Sequence, residues 1–318
     1  MIVITGARGF IGSNLIEKLN AEGYEDLILV DEIENKDKNI NLSDCRYEKL
    51  IDRSHFLDWF IENYSLVKFV FHLGARTDTA EQNVKIFTEL NLNYSKSLFS
   101  ICTKHQISII YASSAATYGN GEFGYNDQHP IQQLKPLNPY GWSKQNFDLW
   151  VKEQNEQPPF WAGLKFFNVY GKHEGHKHRM ASVILHAYDQ IQKTGKMRLF
   201  MSHKEAVGNG EQKRDFIAVQ DVVDICFYFF LHPKESGLYN VGTGQARTYN
   251  DLSNALFLAL KKPTNIEYIP TPEDIRESYQ YYTQAELKKL RSAGYEKAFI
   301  SLEEGVEKYV QEYLGVSS

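Results

Sequence analysis

Three cysteines in 318 residues, Cys45, Cys102 and Cys226, lie far apart and form neither an even disulfide framework nor a metal-ligand pair. That scarcity points to a reducing compartment. Long apolar runs are also missing. Even the run through Cys226 to Leu231 falls far short of the ~18 residues a membrane span requires. There is no excess of base: 35 Lys and Arg face 40 Asp and Glu, a formal net charge of −5. The chain therefore has no global attraction to nucleic acid or anionic lipid. Repeats and low-complexity tracts are absent, and no basic run opens Met1 to Thr5, which reads as a buried strand rather than a leader. A soluble cytoplasmic chain with neither a membrane nor a nucleic-acid partner is expected.

What is present is an ordinary globular balance of 42% hydrophobic and 24% charged residues, in a length that suggests two domains. Short β-branched runs at Met1 to Thr5, Leu27 to Val30, Lys68 to His72, Ile107 to Ala112 and Trp161 to Phe167 alternate with segments of helical period. Those segments are Ile11 to Glu22, Ser54 to Tyr64, Asn83 to Lys104 and Pro139 to Gln154. Continuous apolar strands separated by amphipathic helices are the mark of a parallel sheet covered on both faces. After about Phe167 the rhythm breaks into short strands (Phe216 to Val219, Leu238 to Val241, Ile266 to Ile269) among helices such as Val222 to Leu231 and Tyr249 to Lys261. The expected fold is α/β, a Rossmann-type doubly wound parallel sheet with a smaller α/β C-terminal substrate domain. Residues 1–170 form the dinucleotide-binding part, with a return segment near 215–245, and 171–318 mainly bind substrate.

Thr5-Gly6-Ala7-Arg8-Gly9-Phe10-Ile11-Gly12 follows the first strand and opens the first helix. Gly6 permits a tight turn, Gly9 lets the backbone approach a pyrophosphate, and Gly12 allows close helix–strand packing. The helix N-terminus presents N–H groups and a positive dipole to the anion. Asp31, 19 residues after Gly12, stands at the offset expected for a ribose-hydroxyl contact. Asp31 and Glu32 favour NAD, whereas Arg8, Lys38 and Arg53 could neutralise a 2′-phosphate; the balance leans to NADP, with NAD possible.

Tyr140-Gly141-Trp142-Ser143-Lys144 is the second signal. Asn138 and Pro139 read as an N-cap and a first-turn proline, so Tyr140 and Lys144 share one face of a helix. An ammonium and a helix N-terminus both favour the phenolate and should lower the tyrosine's pKa. Such a tyrosine can take a proton from a sugar hydroxyl while hydride leaves the same carbon. Ser114 and Thr117, at the C-terminal end of a strand where ligands of open sheets bind, can hold that hydroxyl.

These motifs resemble the extended short-chain dehydrogenase/reductase superfamily and, within it, the family of ADP-L-glycero-D-manno-heptose 6-epimerases. The closer likeness rests on Tyr111 to Gly119, Phe167 to Gly171, Glu174-Gly175-His176-Lys177 with Met180 to Val183, Lys213 to Phe216, and Tyr279-Gln280 with Thr283 to Ala285. The resemblance implies an isomerase with bound NADP that oxidises C6 of the heptose, lets the keto sugar turn, and returns the hydride to the other face. Tyr140 would be one acid–base group and Lys177 the second, with Ser114 and Lys144 completing the catalytic set. The basic field of His173, His176, His178 and Arg179 is expected to depress the Lys177 pKa. The cofactor contacts implied also include Phe10, Ile11, Leu73, Gly74, Ala75, Asn91, Val169 and Lys177 itself. Implied substrate contacts are Ser114, Asn168, Arg179, His186, Phe200, Arg214 and Tyr279, with His186, Arg214 and Tyr279 in the smaller region that would grip the diphosphate and nucleoside. A homo-oligomer, a pentamer in the relatives, is also implied.

The chain departs from the family at His178-Arg179, where a Gly-Ser pair is expected, at Leu73 in place of an acid, and in a longer segment from His203 to Glu211. The spacing His173-x-x-His176-x-His178 fits no common metal pattern, and no metal is expected. A dehydratase would need an acid pair where Ala115-Ala116 stands. A hexose 4-epimerase, a GDP-heptose epimerase and a ketose reductase stay open as alternatives. A dinucleotide-sensing regulator is the non-enzyme alternative, and it has no use for Tyr140, Lys144 and Ser114 together.

Overall fold

A computed structural model describes every residue except 35, 277–278 and 316–318. Its strands are β1 (Ile2–Thr5), β2 (Leu27–Asp31), β3 (Lys49–Asp52), β4 (Phe69–His72), β5 (Ser108–Ser114), β6 (Trp161–Phe166), β7 (Asn168–Tyr170), β8 (Met197–Phe200), β9 (Lys213–Ala218), β10 (Gly237–Val241), β11 (Ala246–Thr248) and β12 (Ile266–Ile269). The helices are α1 (Phe10–Ala21), α2 (Arg53–Asn63), α3 (Val84–Phe87), α4 (Tyr94–Lys104), α5 (Pro139–Glu153), α6 (Val183–Thr194), α7 (Val219–Leu231), α8 (Tyr249–Ala259), α9 (Glu273–Arg276), α10 (Lys288–Ser292) and α11 (Leu302–Tyr313).

Seven strands form one parallel sheet in the order β3-β2-β1-β4-β5-β6-β10. The order reverses between β1 and β4, and the loops that leave their C-terminal ends carry the candidate site. The doubly wound sheet expected from the alternation of elements is present. Leu15, Ile16 and Leu19 of α1 pack with Val222, Ile225 and Phe229 of α7 on one face. Phe56 and Phe60 of α2, Leu98 and Phe99 of α4, and Phe147 and Val151 of α5 cover the other. Phe99 is fully buried with its ring edge-on to Phe147, Trp150 and Trp161, so truncating it to alanine should cost about 3–5 kcal/mol.

A third core joins β7, β8 and β9 to α6, α8 and α11 through Tyr170, Ile184, Leu199, Phe216, Leu256 and Val306. Strands β11, β9 and β7 form a small sheet there, and β12 pairs with β8 in another. Among the described residues, no helix is long and apolar enough to cross a membrane.

Up to β6, two segments differ from expectation. Strand β3 has no counterpart in the hydrophobic pattern, because Lys49 is exposed and of its four residues Ile51 alone is buried, as suits a sheet edge. The continuous helix expected over Asn83 to Lys104 is instead α3, a π-helical turn over Thr88–Asn93, and α4. The wide turn contains the buried Asn91, whose amide has partners outside the helix.

Candidate active site

The glycines of the first loop are there for space. Gly6 has φ +68°, and a Cβ on it would sit 2.6 Å from Gly74 N; a Cβ on Gly12 would overlap the carbonyl oxygen of Gly6. No side chain caps α1 at Gly9, so its first turn retains donors for a phosphate. Leu73 N donates to Thr5 O at 3.1 Å and Gly74 N to Thr5 Oγ1 at 3.2 Å, which draws the 73–75 loop against the glycine loop. A relay continues inward. The Thr5 hydroxyl meets His72 Nδ1 at 2.6 Å, His72 Nε2 meets Ser95 Oγ at 2.8 Å, and Ser95 donates to Asn91 O. Burial holds the imidazole down to about 3, so this histidine is neutral and can accept on one side and donate on the other.

Asp31 ends β2, buried, accepting from Arg8 N at 2.9 Å and from Lys38 Nζ at 2.9 Å. Arg8, expected as a base that could neutralise a 2′-phosphate, turns inward. Its guanidinium is buried and donates to Glu32 O at 2.8 Å, Ile33 O at 3.0 Å and Asn39 Oδ1, which ties the loop after β2 beneath the glycine loop. Arg53 pairs with Glu32 at 3.1 Å, both partly exposed. Two acids are thus matched by two bases along this edge.

Helix α5 begins as its sequence requires, with Asn138 Oδ1 accepting from Gly141 N at 2.8 Å and Pro139 in the first turn. Tyr140 faces the Ser114 side chain, and its ring lies 6.3 Å from that of Phe87. Lys144 is buried and donates to Ala112 O at 2.9 Å. The expectation of a lowered Tyr140 pKa fails. Burial raises it, the Ser114 bond opposes that, and the charge of Asp148 raises it further. Burial also pushes Lys144 down to about 8, against the pull of Asp148. Sequence reasoning counted the neighbouring charge and the helix dipole and omitted desolvation, which outweighs both. Asn91 connects this helix to the loop after β4, with Nδ2 donating to Ser143 Oγ at 3.0 Å and Arg76 O at 2.9 Å, and Oδ1 accepting from Arg76 N.

The Lys177 loop docks on the glycine loop. Lys177 Nζ lies 5.2 Å from the centre of the Phe10 ring, His173 Nδ1 is 2.9 Å from Ser13 Oγ, and His176 Nδ1 is 3.1 Å from Asn41 Nδ2. Glu174, fully buried, accepts from Ser182 N and Oγ and pins the loop to the start of α6. The Lys177 pKa is lowered as expected, for a different reason: burial causes it, and Glu174 opposes it. The histidines are not the source, since burial holds His173 and His176 down to about 4 and leaves both uncharged. Arg179 is exposed and pairs with Asp78 at 2.7 Å, which places it on the loop after β4. From Arg179 a chain of contacts runs through Asp78, Arg76 and Asn91 to Ser143, three residues past Tyr140.

In the C-terminal part, the buried Arg214 guanidinium sits 5.7 Å from the Tyr249 ring centre and 5.6 Å from that of Tyr279, and it donates to Lys213 O at 2.9 Å and Gln280 O. Arg214 does not pair with its sequence neighbour Asp215. Asp215 instead accepts from Thr243 and from the backbone of Gly244 and Ala285. Phe200 meets Tyr279 with ring centroids 6.1 Å apart. Asn168 and Val169 line a small cleft with Ser182, Phe216 and Tyr249. His186 stands partly exposed on α6, one turn past Ser182.

The model of the NAD dependent epimerase/dehydratase family matches residues 2–242. The chain belongs to this family. It is 45% identical to the ADP-L-glycero-D-manno-heptose-6-epimerase of Fusobacterium nucleatum subsp. nucleatum over 325 residues, covering 99% of this chain and 98% of that one. Identity to the enzyme of that name from Nitratidesulfovibrio vulgaris (strain DP4) is 44%, covering 100% and 99%. The crystal structure of the Helicobacter pylori ADP-L-glycero-D-manno-heptose-6-epimerase is 28% identical and superposes with a TM-score of 0.79 over 97% of this chain and 94% of that one. An isomerase, the expected class of enzyme, is the class of these relatives.

In this epimerase-family chain, sequence reasoning missed His72, Asp148 and Lys165. Asp148 could have been found: it follows Tyr140 by eight residues and Lys144 by four, on the same helix face. Lys165 and His72 sit in apolar strands, and nothing in the sequence marks their partners.

Proposed function

We propose that this chain inverts C6 of the heptose in ADP-D-glycero-D-manno-heptose to give ADP-L-glycero-D-manno-heptose, using bound NADP, for lipopolysaccharide core synthesis in the cytoplasm. The observation that carries the reading is full-length identity of 44–45% to enzymes of that name, together with Tyr140 against Ser114 and Lys177 on the glycine loop.

The cradle fits a dinucleotide. Gly6 and Gly12 leave room a Cβ would fill, and α1 offers an uncapped N-terminus. Gly6, Gly9, Phe10, Ile11 and Gly12 would hold the pyrophosphate, with Leu73, Gly74, Ala75 and Val169 flanking it. Lys38 and Arg53 favour NADP over NAD, because exposed pairs such as Arg53–Glu32 are worth ~0–1 kcal/mol and yield readily to a 2′-phosphate. Bound there, NADP supplies a hydride acceptor and donor.

The chain's own groups do the rest. Tyr140, in its phenolate form, takes the proton of the C6 hydroxyl, and Ser114 orients that hydroxyl. Lys144 keeps positive charge beside the phenolate. Lys177 handles the proton on the opposite face once the keto sugar has turned. Arg214, between two tyrosines, grips the diphosphate, with Phe200, Tyr279 and His186 towards the nucleoside and Asn168 and Arg179 towards the sugar. Residues 1–170 and the return segment near 215–245 hold the cofactor, and residues 171–318 mainly hold the sugar nucleotide, in a homo-oligomer.

Mixing the protein separately with ADP- and GDP-heptose and following C6 by proton NMR tests the reading. Inversion with ADP-heptose is expected; retained configuration rejects it. Lys177→Ala should abolish interconversion while keeping bound nicotinamide, and full activity would remove the second base.

A further inference from the structure

Behind Tyr140 and Lys144 lies a charge pair cut off from water. Lys165 of β6 and Asp148 of α5 are 1% and 0% exposed, with Nζ 2.7 Å from Oδ2. Asp148 Oδ2 also accepts from Ser113 Oγ at 2.7 Å, and Oδ1 accepts from Tyr111 OH at 3.1 Å. The Lys165 ammonium donates a second bond to Thr117 Oγ1 at 2.8 Å and sits 5.2 Å from the Tyr118 ring centre. Thr117 in turn donates to Ser114 O at 2.8 Å. One network thus reaches from the acid–base helix to the backbone of the serine that meets Tyr140.

Stability alone gives little reason to keep such a pair, since apolar residues of similar volume in its place are often neutral or stabilising. Its position suggests another use. Tyr140, Lys144 and Asp148 recur every four residues on one face of α5, and Ser113 lies opposite Lys165 in the β5–β6 register. We infer that the Asp148–Lys165 pair is a positioning element for the acid–base tyrosine, fixing α5 against the end of β5 and balancing the charge beneath Tyr140 and Lys144.

This rests on the reading of Tyr140 as the base. The direction of the effect is supported by Asp148 itself, whose charge raises both Tyr140 and Lys144. The titratable and charged groups facing the cluster are Tyr140 and Lys144 on α5, His72 on β4, Tyr111 on β5, Lys165 on β6, and Tyr118 with Asp127 beyond it. Without Lys165, Lys144 alone would offset the carboxylate of Asp148 behind the phenol.

The test is the pH profile of kcat for interconversion of the two ADP-heptoses, with Tyr140→Phe measured alongside. Lys165→Met should move the limb that reports Tyr140 to higher pH and slow turnover at pH 7 by about tenfold. Lys165→Arg, which keeps the charge, should leave the limb where it was. The double variant Asp148→Asn/Lys165→Met, which removes both charges, should bring it back. If Lys165→Met does not fold, Lys165→Gln takes its place with the same outcomes. An unmoved limb with activity lost equally at every pH, or a double variant that stays displaced, overturns the inference and leaves the function standing, provided Tyr140→Phe is inactive. Full activity in Tyr140→Phe overturns the reading of the base and this inference with it.

Discussion

Replacing Lys144 with methionine should make the folded chain more stable at neutral pH while it abolishes turnover. The amine is buried and pushed from its ordinary 10.5 down to about 8. A shift of that size corresponds to ~3 kcal/mol of penalty on the charged form in the folded state. Methionine escapes the penalty but loses the bond to Ala112 O, which takes back about 1–2 kcal/mol, so a net gain of about 1–2 kcal/mol is expected at pH 7. The sign of the pH dependence follows from proton binding. Between about 8 and 10.5 the unfolded chain holds the proton and the folded chain does not, so this lysine's contribution to wild-type stability rises with pH across that window. Urea denaturation of both proteins at pH 7 and at pH 9.5 reads the effect. The advantage of Lys144→Met should be largest at pH 7 and should shrink at pH 9.5. A variant less stable than wild type at pH 7, or a gap that does not narrow, would refute the claim that catalysis keeps a charge here at the expense of the fold.

Gly12→Ala drives a methyl into Gly6 O and should cost about 1–3 kcal/mol and strip the purified protein of nicotinamide, seen as loss of cofactor absorbance; undiminished cofactor content would argue against the glycine loop as its seat. Arg214→Met should raise KM for the sugar nucleotide about tenfold or more with kcat little changed, because a charge-assisted grip on phosphate is lost and the acid–base pair is untouched; unchanged KM would remove Arg214 from the site. Asp221 is buried with Oδ1 unpartnered and is pushed up to about 6. Its folded pKa exceeds the unfolded one, so stability is lost as pH rises through about 4 to 6, and Asp221→Asn should gain about 1–3 kcal/mol at pH 7 and little at pH 4. Denaturation midpoints at the two pH values check this.

The sheet was legible because its central strands are buried on both sides and read as unbroken apolar runs, as in Ile2-Val3-Ile4 and Phe69-Val70-Phe71. Strand β3 was not, since an edge strand needs no such run. The π turn was hidden because Val84, Phe87, Leu92 and Leu98 satisfy a helical period whether or not one residue is inserted, and the reason for the insertion, the seating of Asn91, lies in contacts with Arg76 and Ser143. The site's residue types were visible in short motifs, but their electrostatics were not. Tyr140-x-x-x-Lys144 discloses a neighbouring charge and conceals how dry the pocket is, so the direction of the tyrosine's shift came out reversed. The fall in the Lys177 pKa was anticipated, with the wrong cause, because the burial that neutralises His173 and His176 is a property of the docked loop. Arg8 looked like a phosphate ligand because glycine-loop arginines have two directions to turn, and the carbonyls of Glu32 and Ile33 that draw this one inward belong to a different strand's loop.

The central claim is that hydrogen leaves C6 as hydride, is stored, and returns to the same carbon from the other side while Tyr140 and Lys177 handle protons on oxygen. Conversion of ADP-D-glycero-heptose in deuterium oxide, followed by proton NMR at C6, tests it directly. Inverted C6 with its original proton retained is expected; deuterium appearing at C6 as the configuration inverts would contradict hydride storage and return.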